Sequence, residues 1–151
     1  MNNTLITFLI SMVPVIELRG AIPYGIANGM NPLFCYIICV IGNIIPAPFV
    51  ILFIRKIFEW VKEKNIKLLI KPVLWLEDKA ERKKDNVLKY EFWGLLLLVA
   101  IPLPGTGAWT GALVAAMLDM QLKRALPSIS LGVALAGIIV SLATAGVIAM
   151  I

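Results

Sequence analysis

The stretch PVIELRGAIPYG, residues 14–25, interrupts an apolar run that begins at Leu5. The run from Leu5 to Ile16, just before Glu17, is only twelve residues long, whereas a helix that crosses a membrane needs about 20 apolar residues. Pro14 and Pro23 also remove backbone N–H donors that a continuous helix would use. The stretch therefore predicts two short helices joined by irregular backbone instead of one clean span.

A second stretch, PLPGTGAWTG at residues 102–111, breaks a later apolar segment in the same way. The pieces on either side of each break are about ten to thirteen residues long, which at about 1.5 Å per residue covers about half of the hydrocarbon. Such pairs are typical of re-entrant hairpins, whose unpaired peptide groups must be buried in protein or line a watery cavity. Two kinked but complete crossings are the alternative.

The rest of the apolar sequence forms two uncharged or nearly uncharged runs that are long enough to cross a membrane. The chain is 60% hydrophobic with a mean hydropathy of +0.92, which is too apolar for a soluble domain of 151 residues. We expect one all-α integral membrane domain. Its predicted parts are a re-entrant hairpin (1–32), a transmembrane helix (33–54), a cytoplasmic linker (55–91), a second re-entrant hairpin (92–121) and a transmembrane helix (125–151).

Eighteen charged residues lie in the linker, eleven basic and seven acidic. With its aromatic residues, the linker reads as two amphipathic helices at the membrane surface, divided by Pro72. The excess of basic residues places it in the cytoplasm, and Lys123 and Arg124 join it there if both broken stretches are re-entrant. The termini are then outside, and the cytoplasmic membrane of a prokaryote is the expected location. Because the basic residues alternate with acids, nucleic acid is not an expected partner.

The two halves also share a weak internal repeat at an offset of 90 residues. Each half has a broken segment, a turn and a full span, and the halves would be inverted relative to each other, as in many transporters. The matching positions are Pro14 with Pro104, Ala21 with Gly111, Met30 with Met120, and Gly42 with Gly132.

The composition also limits the chemistry. The sequence contains no histidine and two cysteines, Cys35 and Cys39, so histidine acid–base catalysis and the usual zinc ligand sets are not expected. The cysteines lie four apart in an apolar run and are interpreted as packing residues. We expect no enzyme activity, no metal and no cofactor.

Glu17 and Arg19 are the charged residues of the first 54 positions. A charge at the centre of a bilayer costs at least about 2.5 kcal/mol, so a compensating contact or a function is expected. Residues two apart face different sides of a helix but the same side of unwound backbone. One hypothesis is that Glu17 binds and releases a proton or cation while Arg19 attracts an anionic headgroup. The alternative is a buried ion pair that fixes the helix register, or a pair near the interface.

The second break is a candidate anion site, because the amides freed there and the positive end of the following helix attract anions. It lacks the lysine of a phosphate-binding loop and the spacing of a dinucleotide motif. Alternatively, its small residues only let two half-helices approach closely. Together with Glu17 and Arg19, the predicted coupling and binding residues are Gly20, Pro23, Asn43, Pro102, Pro104, Gly105, Thr106, Gly107, Trp109, Thr110 and Gly111.

Both broken stretches, PVIELRGAIPY and PLPGTGAWTGA, resemble motifs of the small multidrug export family. The resemblance to that family extends over nearly the whole chain. That family is similar in layout to the DedA superfamily, in which two opposed re-entrant hairpins surround an embedded site with acidic and arginine residues. The resemblance implies movement of lipids such as polyprenyl phosphates, coupled to an ion gradient. Asp119 stands where the family often has glycine.

Three functions remain open from the sequence. The first is an ion-coupled transporter or flippase for an amphiphilic, anionic substrate. The second is an exporter of hydrophobic cations, for which a membrane glutamate is also suited. The third is a scaffold that recruits a partner through the linker. A lipid bilayer and a second copy of the chain, forming a homodimer, are the expected partners.

Overall fold

The computed structural model describes residues 2–75, 78, 90–103 and 105–151, and every regular element in these residues is a helix. A further helical segment covers residues 67–75. The main helices are α1 (Asn3–Met12), α2 (Glu17–Ala27), α3 (Pro32–Ile44), α4 (Pro46–Glu63), α5 (Glu91–Ala100), α6 (Ala108–Met117) and α7 (Leu122–Met150).

Within the described residues, two helices are long and apolar enough to cross a membrane. One is α7, and the other is formed by α3 and α4, which continue into each other over Pro32–Glu63. Ile45 joins α3 to α4 and still donates its N–H to the carbonyl of Ile41 at 3.2 Å. Pro46 supplies no donor of its own, but a proline in the first turn of a helix leaves no hydrogen bond unmade.

The remaining helices are short and pack as two antiparallel pairs, α1 with α2 and α5 with α6. The first helix of each pair ends before a proline, at Val13 and Ile101, whose ψ angles of 129° and 117° are extended. This is the conformation that a following proline imposes. At ten or eleven residues, each short helix is about 15 Å long, half of a hydrocarbon core.

Side-chain contacts place the residues that follow each pair beside the first helix of that pair. In the first pair, the Thr7 hydroxyl in the second turn of α1 lies 3.4 Å from the sulfur of Met30, just after α2. In the second, Ser128 near the start of α7 donates to the carbonyl of Phe92 near the start of α5, at 2.6 Å. Because α7 follows α6 through a short turn, both ends of the second pair lie at one end of α7.

The turns that leave the two pairs have the same geometry at an offset of 90 residues. Gly29 and Asp119 both adopt positive φ, 80° and 52°. In each case the backbone N–H of the next residue donates to the carbonyl five residues earlier. Met30 donates to Gly25 at 3.0 Å, and Met120 makes the equivalent bond at 2.9 Å. These are Schellman caps, in which a residue of positive φ ends the helix.

Glycines make equivalent contacts in the two halves. A Cβ added to Gly42 of α3 would lie 3.1 Å from the carbonyl oxygen of Phe8 in α1. A Cβ added to Gly132 of α7 would lie 2.9 Å from the carbonyl oxygen of Leu96 in α5. Each long helix therefore approaches the first short helix of its own half through a glycine. The buried core between the helices is rich in small residues, among them Ala21, Ala108, Ala112, Ala115, Ala125 and Ala136.

The linker differs in detail from the sequence prediction. Helix α4 continues to Glu63, so the helix that contains the end of the first predicted span (33–54) extends nine residues into the predicted linker. Pro72 lies inside the helical segment 67–75, and the backbone turns at residues 64–66 instead. Pro72 leaves the carbonyl of Leu68 without its usual intrahelical donor, so the helical segment continues past the proline at the cost of one hydrogen bond. The later part of the linker, residues 79–89, lies outside the described residues.

Candidate functional site

The first break in the chain is a tight turn that brings Glu17 to the start of α2. Val15 and Glu17 have positive φ angles of 77° and 49°, which are uncommon for residues with a side chain and rare for a β-branched one. The Glu17 N–H donates to the carbonyl of Val13 at 3.0 Å, which closes the turn. The resulting orientation buries Glu17, which is 4% exposed, while Val15 is 90% exposed.

The Glu17 carboxylate caps a helix of the other half. Its Oε1 accepts the backbone N–H of Trp109, in the first turn of α6, at 3.2 Å, and the amide of Ala108 also faces it. The first amides of a helix have no partner within the helix and carry its positive end. The N-cap residue of α6 itself is Gly107, which has no side chain that could accept these amides. Glu17 therefore occupies the anion position that the second break provides.

Gly107 makes this contact possible. Its φ of 142° is in the region that side chains rarely adopt, and a Cβ there would lie 2.7 Å from the Cδ of Glu17. Gly105 also has positive φ, 80°, but faces open space. The two glycines of the motif therefore have different roles, since one admits the carboxylate and the other serves the turn alone.

Arg19 binds the opposite end of the same break. Its guanidinium donates to the carbonyls of Ile101, at 3.3 Å, and Leu103, and to the hydroxyl oxygen of Thr106 at 2.9 Å. The Thr106 hydroxyl is itself within 2.8 Å and 2.9 Å of those two carbonyls. Carbonyls at the end of a helix carry its negative end, which a cation stabilises.

Glu17 and Arg19 thus join the two breaks with opposite polarity. The acid meets the positive start of α6 and the base meets the negative end of α5. A third contact comes from the Trp109 indole, whose Nε1–H donates to the carbonyl of Met12 at 3.1 Å. The two charged side chains line one small enclosed space, yet each has backbone partners from the other half.

Asn43 completes that space from α3. Its side chain is 1% exposed, lies against Glu17 and Arg19, and interacts with the Glu17 carboxylate. Its Oδ1 has no hydrogen-bond partner within the part of the chain that the structure describes. The structure therefore brings together the acid, the base and the amide that the sequence singled out.

The other predicted residues have supporting or separate positions. Thr110 donates its hydroxyl to the carbonyl of Gly105 at 2.9 Å, and Gly111 lets α6 pack closely against Val99. Gly20 lies in α2 with the side chain of Ile16 where its own would be. Pro23 and Pro102 line a different groove, of about 510 Å³, beside the far end of α7. Pro104 lies outside the described residues.

Several participants carry no signal in the sequence. The carbonyls of Met12, Ile101 and Leu103 are backbone groups, so their residue types do not reveal them. Arg55 is the first residue of the predicted linker, and nothing in the sequence indicates its partners. In the structure it donates to the carbonyl of Met120 and lies 3.8 Å from the carboxylate of Asp119. It thereby ties the turn after α6 to α4.

A large apolar groove lies beside the contact. It has a volume of about 930 Å³ and runs along α4 between the aromatic rings of Phe49 and Phe53 and the ring of Trp109. Two basic residues and one acidic residue, Arg55, Lys56 and Glu59, also line it. Trp109 therefore borders the groove with its ring while its amide holds Glu17.

In the described residues, two long apolar helices accompany paired short helices that meet in buried polar contacts, an arrangement that fits the class of helical membrane proteins. Residues 17–139 match the family described as "Putative small multi-drug export protein". That match covers most of the chain, from Glu17 within the first break through the whole of the second, and the protein belongs to this family. No curated protein and no solved structure gives a significant match to it.

Proposed function

We propose that the protein is an ion-coupled transporter of the cytoplasmic membrane of a prokaryote, in which Glu17 is the coupling residue. The observation that carries the proposal is the Glu17 carboxylate, buried and bound to the first amides of α6. A carboxylate in a membrane is rare and costly unless it is paired or functional. Here it holds backbone donors that could instead hold an anionic group of a substrate.

The proposed arrangement in the membrane is an inverted pair of re-entrant hairpins. The hairpin α1–α2 enters and leaves on the outer side, and α5–α6 enters and leaves on the cytoplasmic side. The contact between Arg55 and the carbonyl of Met120 supports this arrangement, because it joins the start of the linker to the end of the second hairpin. Each half-length pair then has its break near the middle of the bilayer, where Glu17 and Gly107 meet.

The transport step follows from competition for the start of α6. While Glu17 is ionised, it occupies the amides of Ala108 and Trp109. When a cation or proton neutralises it, the charge-assisted hydrogen bond weakens, and such bonds are worth about 1.5–3 kcal/mol. The amides then become available to an anionic group, so the coupling ion and the substrate would bind together. By resemblance to the DedA superfamily, the substrate would be an amphiphile of the polyprenyl phosphate type.

A second candidate is export of hydrophobic cations, which the family description favours. The groove beside Trp109 has aromatic walls, and aromatic faces attract cations. In this case the cation and the coupling ion would compete for Glu17 instead of binding with each other. A scaffold that recruits a partner through the linker is a third candidate, and a homodimer remains a prediction.

Flux measurements in proteoliposomes test the proposal. A dodecyl phosphate with a fluorescent label and the cationic dye ethidium serve as the two probes. We expect ion-gradient-driven flux of the anionic probe in the native protein and at least about a tenfold loss in Glu17→Gln, corresponding to about 1.4 kcal/mol. Glu63→Gln, at the exposed end of α4, is the matched control and should transport normally.

The outcomes separate the candidates. Gradient-driven flux of ethidium that protons inhibit at Glu17 would favour the cation exporter. Flux of neither probe, with function lost on removal of residues 72–89, would favour the scaffold. Flux that ignores both the gradient and Glu17→Gln would refute the coupling role. Tags at residues 1 and 151 and near Asp85 test the topology, with the termini expected outside and the linker inside.

A further inference from the structure

Asn43 presents an unfilled acceptor at the centre of the site. The side chain is 1% exposed, and its Oδ1 is buried without a donor within reach among the described residues. Nearly all buried polar atoms in proteins are hydrogen-bonded, so each exception needs a physical explanation. A donor that is present in one state of the protein and absent in another would provide one.

The groups around Asn43 leave one candidate donor. Among charged side chains, Arg19 of α2 faces the space, but its guanidinium donates to Ile101, Leu103 and Thr106. The amides at the start of α6 are directed at Glu17. The helices α5 and α7 contribute apolar side chains, Val99, Val133 and Ala136. The remaining polar group is the Glu17 carboxyl, which becomes a donor when it is protonated.

We infer that Glu17 and Asn43 together form a proton site, in which the amide of Asn43 serves both states of the acid. With Glu17 ionised, the NH₂ group of Asn43 donates to the carboxylate. When a proton adds to one carboxylate oxygen, the amide turns over about its last side-chain bond, and Oδ1 accepts the new O–H. No covalent bond of either residue breaks. The inference rests on the proposed function and adds the identity of the coupling ion.

A metal cation fits this space less well than a proton. Hard cations such as Mg²⁺ and Ca²⁺ take six or more oxygen ligands. Glu17 and Asn43 provide the side-chain oxygens that line the space among the described residues, and the guanidinium of Arg19 lines it too. A positive charge in the same small space opposes a second one. A proton needs only one oxygen to bind and one to accept its hydrogen bond.

Infrared difference spectroscopy of the purified protein in lipid tests the inference, with the proton as the ligand. Acidification should give the C=O band of a protonated carboxyl group, and Glu17→Gln should remove it. In Asn43→Leu, which has the same branched outline without polar atoms, the band should remain but move to higher wavenumber because its O–H has lost its acceptor. Proton-driven flux should also fall about tenfold in that variant.

A matched pair guards against misfolding of the leucine variant. Asn43→Thr and Asn43→Val have the same shape and differ by one hydroxyl group, so the band should lie at higher wavenumber in the valine variant than in the threonine variant. Equal positions in these two, or an unmoved band in Asn43→Leu, would overturn the inference and leave Glu17 as the coupling residue. Loss of the band on adding Na⁺ at constant pH would also overturn it, in favour of a metal cation. A spectrum with no band that depends on Glu17 would instead refute the proposed function.

Discussion

Replacing Gly107 by alanine tests whether the contact between the two halves depends on close approach of Glu17. The substitution has two effects that the structure separates. A side chain at φ 142° strains the backbone, and its Cβ would lie 2.7 Å from the Cδ of Glu17. The carboxylate must then withdraw from the amide of Trp109. Gly105→Ala introduces strain at φ 80° but meets no atom within 4 Å.

The magnitudes follow from these two effects. Backbone strain of this kind costs about 1–3 kcal/mol, which applies to both glycines. Loss of a hydrogen bond to a charged group costs roughly 1.5–3 kcal/mol more. This second cost applies to the Gly107 variant alone. Gly107→Ala should therefore lower the free energy of unfolding by about 2 kcal/mol more than Gly105→Ala. This corresponds to a factor of about 30 in the unfolding equilibrium.

Equilibrium unfolding in mixed micelles, followed by tryptophan fluorescence, measures the difference. Gly94→Ala provides a baseline, since a Cβ there meets nothing within 4 Å and its φ is not positive. Flux of the anionic probe should fall in Gly107→Ala and stay near normal in the Gly94 variant. Equal destabilisation by the alanines at 105 and 107 would refute the reasoning, because it would mean that the carboxylate does not need the space beside Gly107.

Three further predictions use the same unfolding assay. Arg55→Gln should lower the free energy of unfolding by about 1.5–3 kcal/mol, because the guanidinium of Arg55 donates to a backbone carbonyl. Asp119→Asn should lower it by at most about 0.5 kcal/mol, because Asp119 is 83% exposed. Equal losses in the two variants would contradict this prediction. Gly42→Ala and Gly132→Ala should each lower the free energy of unfolding by about 1–3 kcal/mol, since each added Cβ would lie too close to a carbonyl of a neighbouring helix. If either variant were as stable as the native protein, the two glycines would not have equivalent packing roles. Trp109→Phe keeps a ring but loses the indole donor, and should cost about 1 kcal/mol; no loss would show that this bond is not formed.

Much of the fold was predictable because its determinants are local. Pro14 and Pro102 end helices through their effect on the preceding residue, wherever the rest of the chain lies. Runs of apolar residues predict the two long helices from length and hydropathy alone. The linker was harder, because a proline inside a helix removes one hydrogen bond but does not by itself end the helix, so the helical boundary depends on the neighbouring turns.

The candidate site was predictable as a set of residues but not as a set of contacts. Glu17 and Arg19 stood out because charges are rare in apolar segments, and the glycines around residue 105 stood out by composition. Their pairing with backbone groups had no sequence signal. The sequence predicted that the second break attracts an anion. It did not reveal that the carboxylate of Glu17 occupies this position at the start of α6.

The sequence by itself determined that this chain is helical, apolar and broken at two places, because these properties follow from hydropathy and from the backbone chemistry of proline and glycine. Only the tertiary structure decided that the two breaks meet. The Glu17 carboxylate binds an amide 92 positions away, and Arg19 binds a carbonyl 84 positions away. Such partners are selected by the packing of the helices around small buried residues, and no local pattern of residues carries that information.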